Sequence, residues 1–94
     1  MDITITERDN KGFAMVRENN KRAGVMTYSR ASEELIIIDH TEVEPEFKGK
    51  SIGKKLLYKI VEMARENNIK ILPLCPFANA MFKKLDDIGD VLKN

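Results

Sequence analysis

The segment Pro45-Glu46-Phe47-Lys48-Gly49-Lys50-Ser51-Ile52-Gly53-Lys54-Lys55 sets a glycine-punctuated basic loop between an apolar run and an amphipathic one. That pattern reads as a cradle for phosphate. Glycine lets main-chain N–H groups approach a ligand without side-chain obstruction, and the first N–H groups of a helix are unpaired and carry partial positive charge. Lys48, Lys50, Lys54, Lys55 and Lys59 fall in a window, Phe47 to Val61, that holds no acidic residue, although the whole chain carries a formal charge of only +1. The cationic charge is local, so the anion it meets is expected to be local. Lys59 fits an ordinary solvated helix face, whereas Lys48, Lys50 and Lys54 fit the ligand side. Elsewhere, His40 and Glu42 stand two apart in a strand-like run and so share one face, and Cys75 closes the next such run. These are the side chains able to move protons or act as a nucleophile near the loop.

Composition narrows the setting. At 94 residues, 43% hydrophobic and 33% charged, the chain is expected to form one globular domain spanning residues 1–94. The near-neutral balance gives no general pull toward nucleic acid, and the basic window lacks the interleaved aromatics that stack bases. The longest apolar runs are far too short to span a bilayer, and Met1-Asp2-Ile3-Thr4 has no secretory pattern, so a cytoplasmic protein without a membrane partner is expected. A single cysteine excludes an internal disulfide, and one histidine leaves no zinc-ligand spacing, so no metal is expected.

The elements that must position the loop can be read from periodicity. Ile3 and Ile5 alternate with Thr4 and Thr6, and the turn signals Asp9-Asn10-Lys11-Gly12 and Glu18-Asn19-Asn20-Lys21 separate three strands. Leu35 to Val43 is rich in β-branched residues and loses alternation at Ile36-Ile37-Ile38, which predicts a central strand covered on both faces. Ile52, Leu56, Leu57, Ile60, Val61 and Ala64 mark one face of a helix from about Ser51 to about Glu66, with Ser51 as a suitable N-cap. Ile69 to Leu74 reads as a short buried strand, joined to the fourth through that helix as a parallel crossover. Asn79 to Leu85 suggests a last helix, and Asp86 to Asn94 remains unassigned. Phe77 and Phe82 are expected in the core.

At the strand-to-helix junction, Val43, Pro45, Glu46, Lys48-Gly49-Lys50-Ser51-Ile52-Gly53, Leu56 and Leu57 resemble the acetyl-CoA-binding motif of the GNAT superfamily of N-acetyltransferases. That motif runs Arg or Gln, two residues, Gly, one residue, then Gly or Ala. Lys48 stands for the Arg or Gln, Ser51 for the first Gly, and Gly53 matches. A Walker A loop fits less well, because it needs a glycine where Glu44 stands. Ile38-Asp39-His40-Thr41-Glu42-Val43 and Pro73-Leu74-Cys75-Pro76-Phe77 extend the resemblance, over nearly the whole chain, to a compact subgroup of minimal GNAT-like proteins. Members lack the C-terminal strands that form the acceptor pocket of larger relatives.

The resemblance implies an α+β fold: a GNAT-like mixed β-sheet with a central β-α-β unit that binds acetyl-CoA. It implies that the diphosphate lies on the N–H groups of Lys48, Gly49, Lys50, Ser51, Ile52, Gly53 and Lys54. The pantetheine arm would follow Thr41 to Val43, and Asn79 stands where relatives use an Asn to bond that arm. Transfer from a thioester to an amine needs a neutral amine, a polarised carbonyl and a proton for the departing thiolate. His40 can take the amine proton, directly or through water, and Glu42 is the second base candidate. Cys75 can protonate the leaving sulfur or itself accept the acyl group in a two-step route. The expectation is an acetyl-CoA-dependent N-acetyltransferase acting on an amine of a small molecule or protein, as a monomer or weak homodimer. The alternative is a noncatalytic acyl-CoA-binding module.

Overall fold

The computed structural model describes residues 1–93. Four strands come first: β1 (Asp2–Arg8), β2 (Lys11–Glu18), β3 (Lys21–Ser32) and β4 (Leu35–Val43). A single 3-10 turn, Pro45–Phe47, leads to helix α1 (Ile52–Glu66), then β5 (Lys70–Pro73), helix α2 (Pro76–Lys84) and a second 3-10 turn, Gly89–Val91. The sheet runs in order β1-β2-β3-β4-β5, antiparallel through β4 and parallel between β4 and β5. No helix among the described residues is long and apolar enough to cross a membrane.

Local chemistry explains the two hairpins. Asp9, Asn10, Asn19 and Asn20 all take positive φ, between 52° and 66°, the pairwise left-handed geometry that two-residue hairpin turns need and that Asn and Asp tolerate. Helix α1 buries Ile52, Leu56, Leu57, Ile60, Val61 and Ala64, the face its periodicity marks. It lies close on the sheet because Gly24 offers no side chain; a Cβ there would come within 2.7 Å of Ile52 Cγ2. The layer beneath it is Ala14, Val16, Met26, Tyr28, Ile36, Ile38 and Ile71, all buried. Tyr28 lies across Gly12 and donates its hydroxyl to Glu7 at 2.8 Å, while Arg30 grips the same carboxylate at 2.7 and 3.0 Å.

Three sequence expectations need correction. Strand β4 is fourth of five, and only its Ile36 and Ile38 face is fully buried; Leu35 and Ile37 belong to a half-exposed face with Phe13, Met15, Val25 and Leu72. Its run of isoleucines therefore reflects β propensity and partial cover, with no second packed layer among the described residues. Helix α2 starts at Pro76, three residues before the expected Asn79, because proline at the first helical position forfeits only an N–H that would be unpaired anyway. Phe82 is buried as expected, but Phe77 is 38% exposed. The unassigned tail is also ordered by packing: Ile88 and Val91 are buried, Leu92 bridges Ile71 in parallel, and Asp87 and Asp90 are held by Tyr58 and Arg65. Asn94 lies outside the described residues.

Candidate active site

Two strands part beside the head of a helix. Pairing of β4 with β5 ends at Ile38 and Pro73, where the Leu74 and Cys75 N–H groups both donate to the Ile38 carbonyl, at 3.1 and 3.0 Å. Strand β4 continues to Val43 with no partner from β5. The parting has a local cause. Thr27 pairs with His40 but Tyr28 pairs with Ile38, so Asp39 is an extra residue on β4, a bulge that bends the strand. The bulge also changes which side chains share a face. Thr41 and Val43, opposite Met26 and Gly24, continue the helix side begun by Ile36 and Ile38, while His40 and Glu42 project from the other side.

This placement sets Cys75 on the opposite side of β4 from His40 and Glu42. Cys75 is the N-cap residue of α2, 4% exposed, and its Sγ lies 3.1 Å from Thr41 Oγ1. His40 Nε2 is 3.3 Å from Glu42 Oε2 on the opposite face, and Glu42 also has Arg22 at 3.7 Å. His40 and Glu42 share a face as expected; neither bonds Cys75, and Thr41 is the group that does.

The loop before α1 matches the needs of a backbone cradle. Gly49 takes φ +86°, and nothing lies within 4 Å of where its Cβ would be, so its left-handed geometry alone favours glycine. Ser51 occupies the N-cap position as expected, but at φ +60° its side chain makes no capping bond. The N–H groups of Ile52, Gly53 and Lys54 therefore donate to no group among the described residues, and the first turn carries no carboxylate. Gly53 is small for a packing reason: a Cβ there would come 2.5 Å from the Phe77 ring, which α2 lays over the helix head.

Together these residues form a groove of about 410 Å³. Val43, Phe47, Phe77 and Met81 give it apolar walls, the backbone from Lys48 to Lys54 one end, and Lys48, Lys54 and Lys84 a cationic rim. Lys50 does not line it; its ammonium sits 5.4 Å from the Phe47 ring centroid. Asn79 does not line it either, and its amide reaches the Pro73 carbonyl at 3.5 Å. Sequence reading missed Phe77, Met81 and Lys84 as groove residues. Their spacing of four and three residues is one helical face, hidden because the helix begins earlier than expected. A larger, shallow depression of about 780 Å³ follows the outer face of α1, lined by Lys55, Lys59, Glu62 and Glu66, and contains none of the strand-gap residues.

A mixed sheet whose parallel pair opens beside an uncapped helix head places the chain among α+β domains. The model of GCN5-related N-acetyltransferases matches residues 12–91, and the chain belongs to that family. The solution structure of a GCN5-like protein from Staphylococcus aureus, described as a candidate N-acetyltransferase, is 42% identical, with 97% of this chain and 88% of that one covered and a TM-score of 0.71. The ribosomal-protein-alanine N-acetyltransferase of Brucella melitensis shares the fold at 16% identity and TM-score 0.72, over 83% of this chain and 62% of that one. GCN5 of Tetrahymena does so at 18% and 0.68, over 82% and 51%. Comparison with curated proteins gives no match. GCN5-related N-acetyltransferases use acetyl-CoA as cosubstrate.

Proposed function

We propose that this chain is an acetyl-CoA-dependent N-acetyltransferase for an amine of a small molecule or a protein. The observation that carries the reading is that β4 loses its β5 partner beside the groove formed by the free N–H groups of α1. Ile52, Gly53 and Lys54 present those groups to a diphosphate, with Lys48, Gly49, Lys50 and Ser51 shaping the approach. The unpaired edge of β4 from Asp39 to Val43, with Thr41 and Val43 on the groove side, can hold an amide-bearing arm as an added strand would be held. Cys75 and Thr41 then flank the thioester sulfur from the helix side. His40, oriented by Glu42, stands on the other face of the same gap, where an acceptor amine can approach. The amine nitrogen bonds to the acyl carbon as the C–S bond breaks; His40 takes the amine proton, and the Cys75 thiol supplies one to the departing sulfur. An acyl-Cys75 intermediate is the two-step variant of the same site.

A noncatalytic acyl-CoA-binding module is the second reading, favoured by the separation of His40 and Glu42 from Cys75. Titration with acetyl-CoA followed by amide chemical shifts, together with thiol release across an amine panel, decides. Shifts from Thr41 to Lys54 that reach Cys75, with turnover lowered about 100-fold or more in His40→Ala, support the enzyme. The same shifts without turnover for any amine support the module. Shifts confined to Lys55–Arg65 overturn both.

A further inference from the structure

We propose that Lys84, at the end of α2, is the recognition residue for the 3′-phosphate of coenzyme A, so that this groove distinguishes CoA from its 3′-dephospho form. The inference rests on the acetyl-CoA reading and adds a second anion subsite to it. Three cations line the groove: Lys48 and Lys54 flank the free N–H groups of α1, with the Lys54 ammonium 5.9 Å from the Tyr58 ring centroid, and Lys84 stands apart from them on α2. Lys84 lines the groove and has no carboxylate partner among the described residues.

Its position separates it from the diphosphate end. Phe77 packs on Gly53, and Lys84 lies two helical turns further along the same face of α2, about 10 Å by helix rise. A ligand whose diphosphate meets the N–H groups of Ile52, Gly53 and Lys54 thus encounters a separate cation on the opposite wall. Coenzyme A carries a second anion separated from its diphosphate by one ribose, which suits two cationic points on facing helices. Lys83 supplies an internal control. It stands in the same last turn of α2 and carries the same charge, yet it does not line the groove.

The test is calorimetric titration of CoA and of 3′-dephospho-CoA into wild type, Lys84→Gln, Lys84→Arg and Lys83→Gln. The expected result is that Lys84→Gln weakens CoA about five-fold, the size of one favourable exposed ion pair. It leaves 3′-dephospho-CoA unchanged, Lys84→Arg restores CoA, and Lys83→Gln alters neither. Equal weakening of both ligands by Lys84→Gln, an equal effect from Lys83→Gln, or wild-type protein binding both ligands alike overturns the subsite while leaving the acetyl-CoA reading intact. Failure of wild type to bind either ligand overturns the acetyl-CoA reading itself, and the subsite with it.

Discussion

Ser51 and Gly49 bracket the cradle and solve one backbone problem with different chemistry. Both sit at positive φ, where an L-residue with a Cβ loses roughly 1–2 kcal/mol. Ser51 bears that cost with no capping bond in return, so Ser51→Gly relieves strain, offset in part by the extra freedom of an unfolded glycine. We expect a gain in stability below about 1 kcal/mol. At Gly49 the balance reverses. With nothing within 4 Å of its Cβ position, Gly49→Ala changes only backbone preference and should cost about 1 kcal/mol. Urea denaturation of the two variants checks this through opposite movements of the midpoint; movement in the same direction would contradict it.

The approach of α1 to the sheet is decided at the scale of elements, by the absence of a side chain at residue 24. Gly24→Ala would bring a Cβ to 2.7 Å from Ile52 Cγ2 and 3.0 Å from the Glu42 carbonyl, and the second of these is backbone that gives little. The variant should lose about 1–3 kcal/mol by equilibrium unfolding, and because Ile52 opens α1 it should also weaken ligand binding at the groove. A silent Gly24→Ala would mean that the helix has room to move. Most elements were legible from the chain because each follows its own period: the hairpins from Asp9-Asn10 and Asn19-Asn20, α1 from its 52-56-57-60-61-64 face, and the parallel pair from the strand–helix–strand order. The basic loop was legible for the same local reason. What escaped depends on contacts between elements. Asp39 is an ordinary residue in sequence and becomes a bulge only by pairing against β3; counting by twos through it assigns His40 and Glu42 to the wrong face. The Thr41 contact to Cys75 spans 34 residues and has no local signature.

Across the whole molecule, the cluster of Glu7, Tyr28 and Arg30 ties β1 to β3 at the edge farthest in strand order from the β4–β5 gap. Arg30, and then Tyr28, hold the Glu7 carboxyl below its usual range, against an opposing effect of burial. Burial, followed by the neighbouring Glu7, pushes the Tyr28 phenol up to about 12. The signs follow from proton counting. Between about pH 10 and 12 the unfolded chain has lost the phenolic proton that the folded chain keeps, so stability should fall there, by on the order of 2 kcal/mol. On the acid side, the Glu7 contribution is present above its unfolded pKa and is lost as pH falls through the lowered folded value. Glu7→Gln should therefore cost about 1–2 kcal/mol at neutral pH, with the gap to wild type closing as pH falls below the ordinary glutamate range. Urea titrations across pH read both limbs, and a pH-independent difference between the two proteins would remove the ion pair from the account.

The extra residue in β4 separates fold from function. A chain lacking Asp39 would still set Thr27 against His40 and Met26 against Thr41, so every side chain would keep its side and the core would survive. Its fourth strand would run straight past Ile38, however, and the aperture beside Pro73 would narrow like a seam drawn shut. The sheet can spare that residue; the proposed site cannot.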